Sequence, residues 1–263
     1  MSFFSLARGL LALWMGGLLV CGAEPVAVKA EILAELKDFH RNWSTPMPEQ
    51  DPLYGVAHVL SLLNLDHPGL EKVKAAQVAH DLKTAEKELL AYFRATRPVK
   101  KRLTQLDDRT RLVADQALNH LFRGNKDTHP PVDRGVKIDW VGRAFVEGKE
   151  IHDAEWYFQF QRLTWWLPLA QTYHVTRDQR YFEEWRYELV SWSQGLLPFD
   201  KKTPRFVTRG METDARCKAL TDVFPYMLES EAFDVKTLLI FLSCFHQQAD
   251  HIPKVYAPVG NHR

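Results

Sequence analysis

Apolar residues recur along this chain at alternating steps of three and four, a spacing that suits one face of a helix and no face of a strand. Trp156, Phe160, Leu163, Leu167 and Ala170 make one such stripe, with Asp153 placed ahead of it as a capping carboxylate. Phe182, Trp185, Leu189 and Trp192 make a second, which Gly195 and Pro198 close. Only Val175-Thr176-Arg177-Asp178 separates the two, and so short a connection makes them antiparallel neighbours. The same period predicts helices over residues 26–43, 53–65, 70–96 (as one long helix), 103–122, 211–228 and 235–251. Apolar and polar residues nowhere alternate for long enough to make a strand. The expected fold is all-α, an array of antiparallel helical hairpins.

Residues 123–153 break the pattern: Gly, Pro and Asp are frequent and no helical stripe runs through them. A loop of that length inside a helical protein is uncommon and is often functional. His120, His129 and His152 lie in or beside it at spacings that fit no common metal site, so they read as surface side chains. Glu183-Glu184 reads as a solvated helix face. There is no HExxH, no GxSxG, no P-loop and no GxGxxG after a strand, and neither a metal nor a cofactor is expected.

Charge narrows the partners. With 34 basic against 33 acidic side chains and a net charge of +1, the chain has no overall basic excess to hold nucleic acid. The first residues read as an export signal: Arg8, an apolar run over 9–20, then Cys21-Gly22-Ala23, with cleavage expected after Ala23. The run is too short for a stable membrane span. The mature domain is therefore expected over 24–263, periplasmic or secreted. Of the cysteines, 217 and 244 remain, and they fit either a disulfide between touching helices or two buried thiols.

Several short elements follow one another in an order more specific than any one of them: Ile138-Asp139-Trp140, Glu155-Trp156, Gln161-Arg162, Leu169-Ala170-Gln171-Thr172-Tyr173, Thr176-Arg177-Asp178-Gln179-Arg180-Tyr181, Ser191-Trp192, Met211 to Arg216 and Gly260-Asn261-His262. Together they resemble the N-terminal helical domain of the heparinase II/III-like polysaccharide lyases over about residues 130–263. One local departure is Gln161-Arg162-Leu163, where many members have Asn-Arg-His.

The resemblance implies an incomplete (α/α) toroid without the family's β-rich C-terminal part. It implies β-elimination on uronate-containing polysaccharide, heparan-sulfate-like or alginate. Removing the C5 proton beside a carboxylate builds up negative charge, which hydrogen-bond donors must offset. The resemblance gives that part to Asn261 and His262. Arg162, Glu212, Arg216 and Arg263 are the candidate substrate contacts beside them; the consecutive Trp165 and Trp166 face different ways on one helix, so one of the two, Trp166, is expected to line a saccharide groove. The family's proton-transferring Tyr and second His come further on in sequence, so little or no lyase activity is expected of these residues alone. Two other readings remain open at this point: a non-catalytic carbohydrate-binding domain and a helical scaffold for protein partners.

Overall fold

Asp81, Asp107, Asp153, Asp178 and Asp234 each start a helix in the computed structural model, which describes residues 54–100, 102–124 and 129–256. The expected export signal, the helix over 26–43, and Asn261, His262 and Arg263 lie outside the described residues. After α1 (Val56–Ser61) come α2 (Glu71–Val78) and α3 (Leu82–Thr96), in place of the single long helix expected. His80 sits at φ 56, in the left-handed region, and the Asp81 carboxylate accepts from Thr84 N at 3.0 Å to start α3 afresh. Asp107 caps α4 (Asp108–Ala117) in the same way.

The irregular segment contains two small antiparallel ladders. β1 (Leu121–Phe122) pairs with β2 (Val132–Asp133), and β3 (Phe145–Val146) pairs with β4 (Lys149–Glu150). Glu147 and Gly148, at φ 51 and 76, form the tight two-residue turn of the second hairpin. Two-residue strands are too short to show alternation, which is why the sequence did not suggest them.

The expected helix through Trp156 and Ala170 is two helices, α5 (Ala154–Phe160) and α6 (Trp166–Thr176), capped at its start by Asp153 as anticipated. Leu163 at φ 53 makes the break. Pro168 falls in the first turn of α6, where its missing N–H costs nothing. α7 (Gln179–Leu196) returns along α6: Trp185 meets Trp166 at 6.3 Å and Phe182 meets Tyr173 at 5.9 Å, the order an antiparallel pair requires. After a short α8 (Arg205–Thr208), α9 (Gly210–Met227) and α10 (Val235–Tyr256) repeat the arrangement, with Phe224 stacked on Phe241 and Arg216 bonded to Gln248. The hairpins stack in a toroid-like all-α array around Trp156, Trp166, Trp185 and Trp192, all fully buried. Cys217 and Cys244 are free thiols, and burial pushes Cys244 up to about 12.

Candidate functional site

At the end of the array where α5 stops and α9 begins, one carboxylate gathers two guanidinium groups. Glu212 stands in the first turn of α9 with its side chain fully buried. It accepts from Arg162 Nε and Nη2 at 3.2 and 3.0 Å and from Arg209 Nε and Nη2 at 2.5 and 2.6 Å. Burial raises its pKa, but the hydrogen bonds from Arg209 and Arg162 prevail, and the carboxyl is held below its usual range. Arg162 also reaches Glu155 at 3.4 Å, and the Arg209 guanidinium lies 3.6 Å from the centroid of the Phe158 ring. Tyr256, the last described residue of α10, packs across Gly210 so closely that a Cβ there would fall 2.5 Å from its ring. His251 Nε2 donates to Thr208 O at 2.9 Å and ties α10 to α8. Met211 and Tyr256 remain exposed beside the arginines. The cluster offers a cation-bearing, partly aromatic surface at the point from which the chain continues toward Asn261 and His262.

Two of the anticipated substrate contacts point inward. Trp166 is fully buried and donates its N–H to Glu188 Oε2 at 2.5 Å, while Trp165 donates to the same oxygen at 2.6 Å. On one continuous helix these neighbours would face different ways. The break at Leu163 places Trp165 at the cap of α6, so both turn into the core. Arg216 is buried too. It donates to Gln161 O at 3.0 Å, Val207 O at 2.6 Å, Gln248 Oε1 at 2.9 Å and Thr213 Oγ1 at 3.1 Å, over the face of Trp192. Burial lowers its pKa to about 10, so it stays charged at neutral pH. Both side chains hold the fold and offer nothing to a saccharide.

Sequence reasoning missed Arg209 and Gln161. Arg209 lies two residues ahead of the element that drew attention to Glu212, and its helix-start position was the available signal. Gln161 joins three elements: its amide donates to Trp140 O at 2.5 Å, its side-chain oxygen accepts from Trp192 Nε1 at 3.1 Å, and its backbone carbonyl accepts from Arg216. It fixes Ile138-Asp139-Trp140 against α7 and α9, and the Tyr187 hydroxyl accepts from Ile138 N at 3.1 Å.

A second charged group lies deeper. His120 and Glu184, expected at the surface, are fully buried and face each other with Nε2 3.1 Å from Oε1. His120 Nδ1 donates to Gly135 O at 2.6 Å, and its ring stacks on Tyr187. Desolvation acts to lower the His120 pKa, but the facing Glu184 charge and the two hydrogen bonds raise it overall. Glu188, one turn along α7, is pushed well above the ordinary carboxylate value by burial and by the Glu184 charge. His120, Glu184 and Glu188 thus lie in a row in which both shifts favour protonation of His120 and Glu188, and the row pins the segment around β1 and β2 to α7. Among the described residues, no group of three or more His, Cys, Asp or Glu is disposed to hold a metal ion.

Comparison with known proteins bears on the same residues. The family described as Heparinase II/III N-terminus matches residues 59–263. A heparin-sulfate lyase of Pedobacter heparinus is 35% identical over 214 residues, covering 76% of this chain and 31% of that protein. One from Bacteroides stercoris is 34% identical over 227 residues, covering 78% and 33%. The crystal structure of heparan sulfate lyase HepC from Pedobacter heparinus superposes with a TM-score of 0.67 at 34% identity, over 78% of this chain and 33% of that one. The chain thus spans about a third of the length of these relatives.

Proposed function

Because the chain belongs to the heparinase II/III N-terminal family, we propose that it forms the helical part of an exported lyase that cleaves uronate-containing acidic polysaccharide by β-elimination. The substrate class is heparan-sulfate-like, with alginate as the other uronate polymer to try. In this reading Arg162 and Arg209, aligned on Glu212, meet the substrate's anionic groups, since guanidinium forks match carboxylate and sulfate geometry. Arg263, outside the described residues, is a further candidate cation from the sequence. Asn261 and His262, a few residues past Tyr256, donate to the uronate carboxylate as the C5 proton leaves and the C4 oxygen is expelled. Charge builds up on that carboxylate only in the transition state, so such donors lower the barrier more than they tighten binding. Losing one donor of this kind costs about 10²–10³ in turnover.

The observation that carries the reading is the arginine pair on a buried glutamate beside the end of α10, in a chain of this family. These residues supply recognition and carboxylate neutralisation. As 263 residues alone they are expected to bind uronate oligosaccharides without cleaving them.

The test is calorimetry with heparan-sulfate and alginate oligomers, alongside the ultraviolet absorbance of unsaturated uronate. Binding that weakens in Arg162→Gln and Arg209→Gln supports the reading. Absence of binding to either polymer sinks it. Unsaturated product that disappears in Tyr256→Phe would show that proton transfer is already present in this chain, and would overturn the division of roles.

A further inference from the structure

The end of α9 away from Glu212 carries a second cationic surface. The strap that follows α3 presents Arg97, Lys100 and Arg102, three cations close together in a chain whose signs otherwise balance. It is fastened at both ends. Arg94, in the last turn of α3, donates to Ser230 O and Phe233 O at 3.3 and 2.9 Å, and Leu103 N donates to His174 Nε2 at 3.4 Å. The strap has a cavity on each side. One, of 560 Å³, sets Arg97 and Lys100 against Phe93, Tyr226 and Phe245. The other, of 690 Å³, sets Arg97 and Arg102 against Pro225 and Leu228.

Two of the acids around these cavities already have cations of their own. Asp222 pairs with Lys218, and Glu229 pairs with Arg177 and His174, each at 2.7 Å. Glu231 is left as the local acid. Among the described residues, Arg97, Lys100 and Arg102 form no ion pair, and all three are exposed. A basic strap is usually just a solvated surface. This one differs in being anchored at both ends, flanked by aromatic and aliphatic walls, and surrounded by acids that are largely neutralised.

We infer that this strap is a second binding site for acidic polysaccharide, separate from the Arg162–Arg209 surface. A sugar polymer fits better than the alternatives. Its anionic groups suit the exposed cations, and its apolar ring faces suit the Phe93, Tyr226 and Phe245 wall. Duplex nucleic acid would need a broader basic face than this nearly neutral chain offers. The ligand class comes from the proposed lyase function; the location does not. Glu212 and Pro225 lie at opposite ends of α9, so the two surfaces are separated by roughly 20 Å. A long polymer can engage both, and binding at the strap then raises the local concentration of substrate at the other surface.

The experiment measures fluorescence anisotropy of labelled heparan-sulfate oligosaccharides of increasing length on the whole chain. It compares wild type with the triple variant R97S/K100S/R102S and with Arg209→Gln at the other surface. The three strap positions are exposed, and unchanged thermal melting will show that the triple variant is folded. The strap predicts affinity that rises with oligosaccharide length in wild type. It predicts a loss of about tenfold for the longest probe in the triple variant, with a weaker salt dependence and no length effect left. Unchanged affinity in the triple variant alongside a loss in Arg209→Gln overturns the strap and leaves the lyase reading intact. A loss confined to the triple variant supports the strap even if the lyase reading fails. Equal competition by duplex DNA of matched charge overturns the assignment to polysaccharide, and so does the absence of any binding in wild type.

Discussion

Glu188 should be more valuable to this protein as an amide than as an acid. The residue is fully buried, takes two indole N–H bonds on one oxygen and faces the Glu184 carboxylate with the other end of its carboxyl group. Desolvation and the Glu184 charge keep it protonated in the fold well above its ordinary value of 4.5. In the unfolded chain it ionises near that value. Holding it neutral at pH 7 therefore forfeits up to about 3 kcal/mol of stability, at 1.36 kcal/mol for each pH unit above the unfolded pKa. Glutamine has the same shape. Its carbonyl accepts from Trp165 and Trp166, and its NH₂ donates toward Glu184 as the neutral acid does. Glu188→Gln should then match wild type within about 1 kcal/mol near pH 4 and exceed it by up to about 3 kcal/mol at pH 7, the difference growing with pH between them. Urea unfolding at a series of pH values reads this directly. A variant less stable than wild type at neutral pH, or a difference that does not change with pH, would refute the neutral-carboxyl assignment.

The same cluster predicts the opposite result for Glu184→Gln, which leaves the buried His120 imidazolium without its counter-charge at a cost of about 3–5 kcal/mol. Because the folded His120 pKa is raised, that loss should be fullest below about pH 6.5 and should shrink as pH rises through the folded value, as unfolding against pH will show. Arg216→Lys keeps the charge but cannot reproduce the four-bonded fork over Trp192. It should cost about 3 kcal/mol in urea unfolding, with little effect on saccharide affinity measured by calorimetry. Glu212→Gln should lower stability by about 3 kcal/mol at neutral pH. Since the folded Glu212 pKa is depressed, the contribution is present above about pH 4.5 and disappears as pH falls through the folded value, so wild type and variant should converge in acid. Gly210→Ala should displace Tyr256 and quicken amide exchange in the last turn of α10, with a loss of under about 1 kcal/mol because Tyr256 is exposed.

What the sequence could and could not reveal follows from how each feature is encoded. A stripe such as Phe182, Trp185, Leu189 and Trp192 repeats over several turns, so α7 and its antiparallel partner were legible. The breaks at His80 and Leu163 depend on single non-glycine residues in the left-handed region, and no residue type announces that conformation. Missing the second break had a chemical consequence. With α5 and α6 drawn as one helix, Trp165 and Trp166 had to face different ways and one of them looked free for a sugar. The kink turns both indoles onto Glu188. The resemblance picked out Arg162 and Glu212, which are bonded to each other, but it also picked out Arg216, which packs inward with the same charge and a similar helical setting. Only partners distant in sequence, Gln161 and Gln248, distinguish the buried arginine from the partly exposed one. His120 and Glu184 make the same point, since a histidine beside a loop and a glutamate on a helix read as solvated until the fold brings them 3.1 Å apart. Charged residues on amphipathic helices are thus legible as surface only by default. Where such a helix is packed on every side, as α7 is, the charges that remain must be buried in matched groups, and the neutral Glu188 is what lets His120 and Glu184 balance.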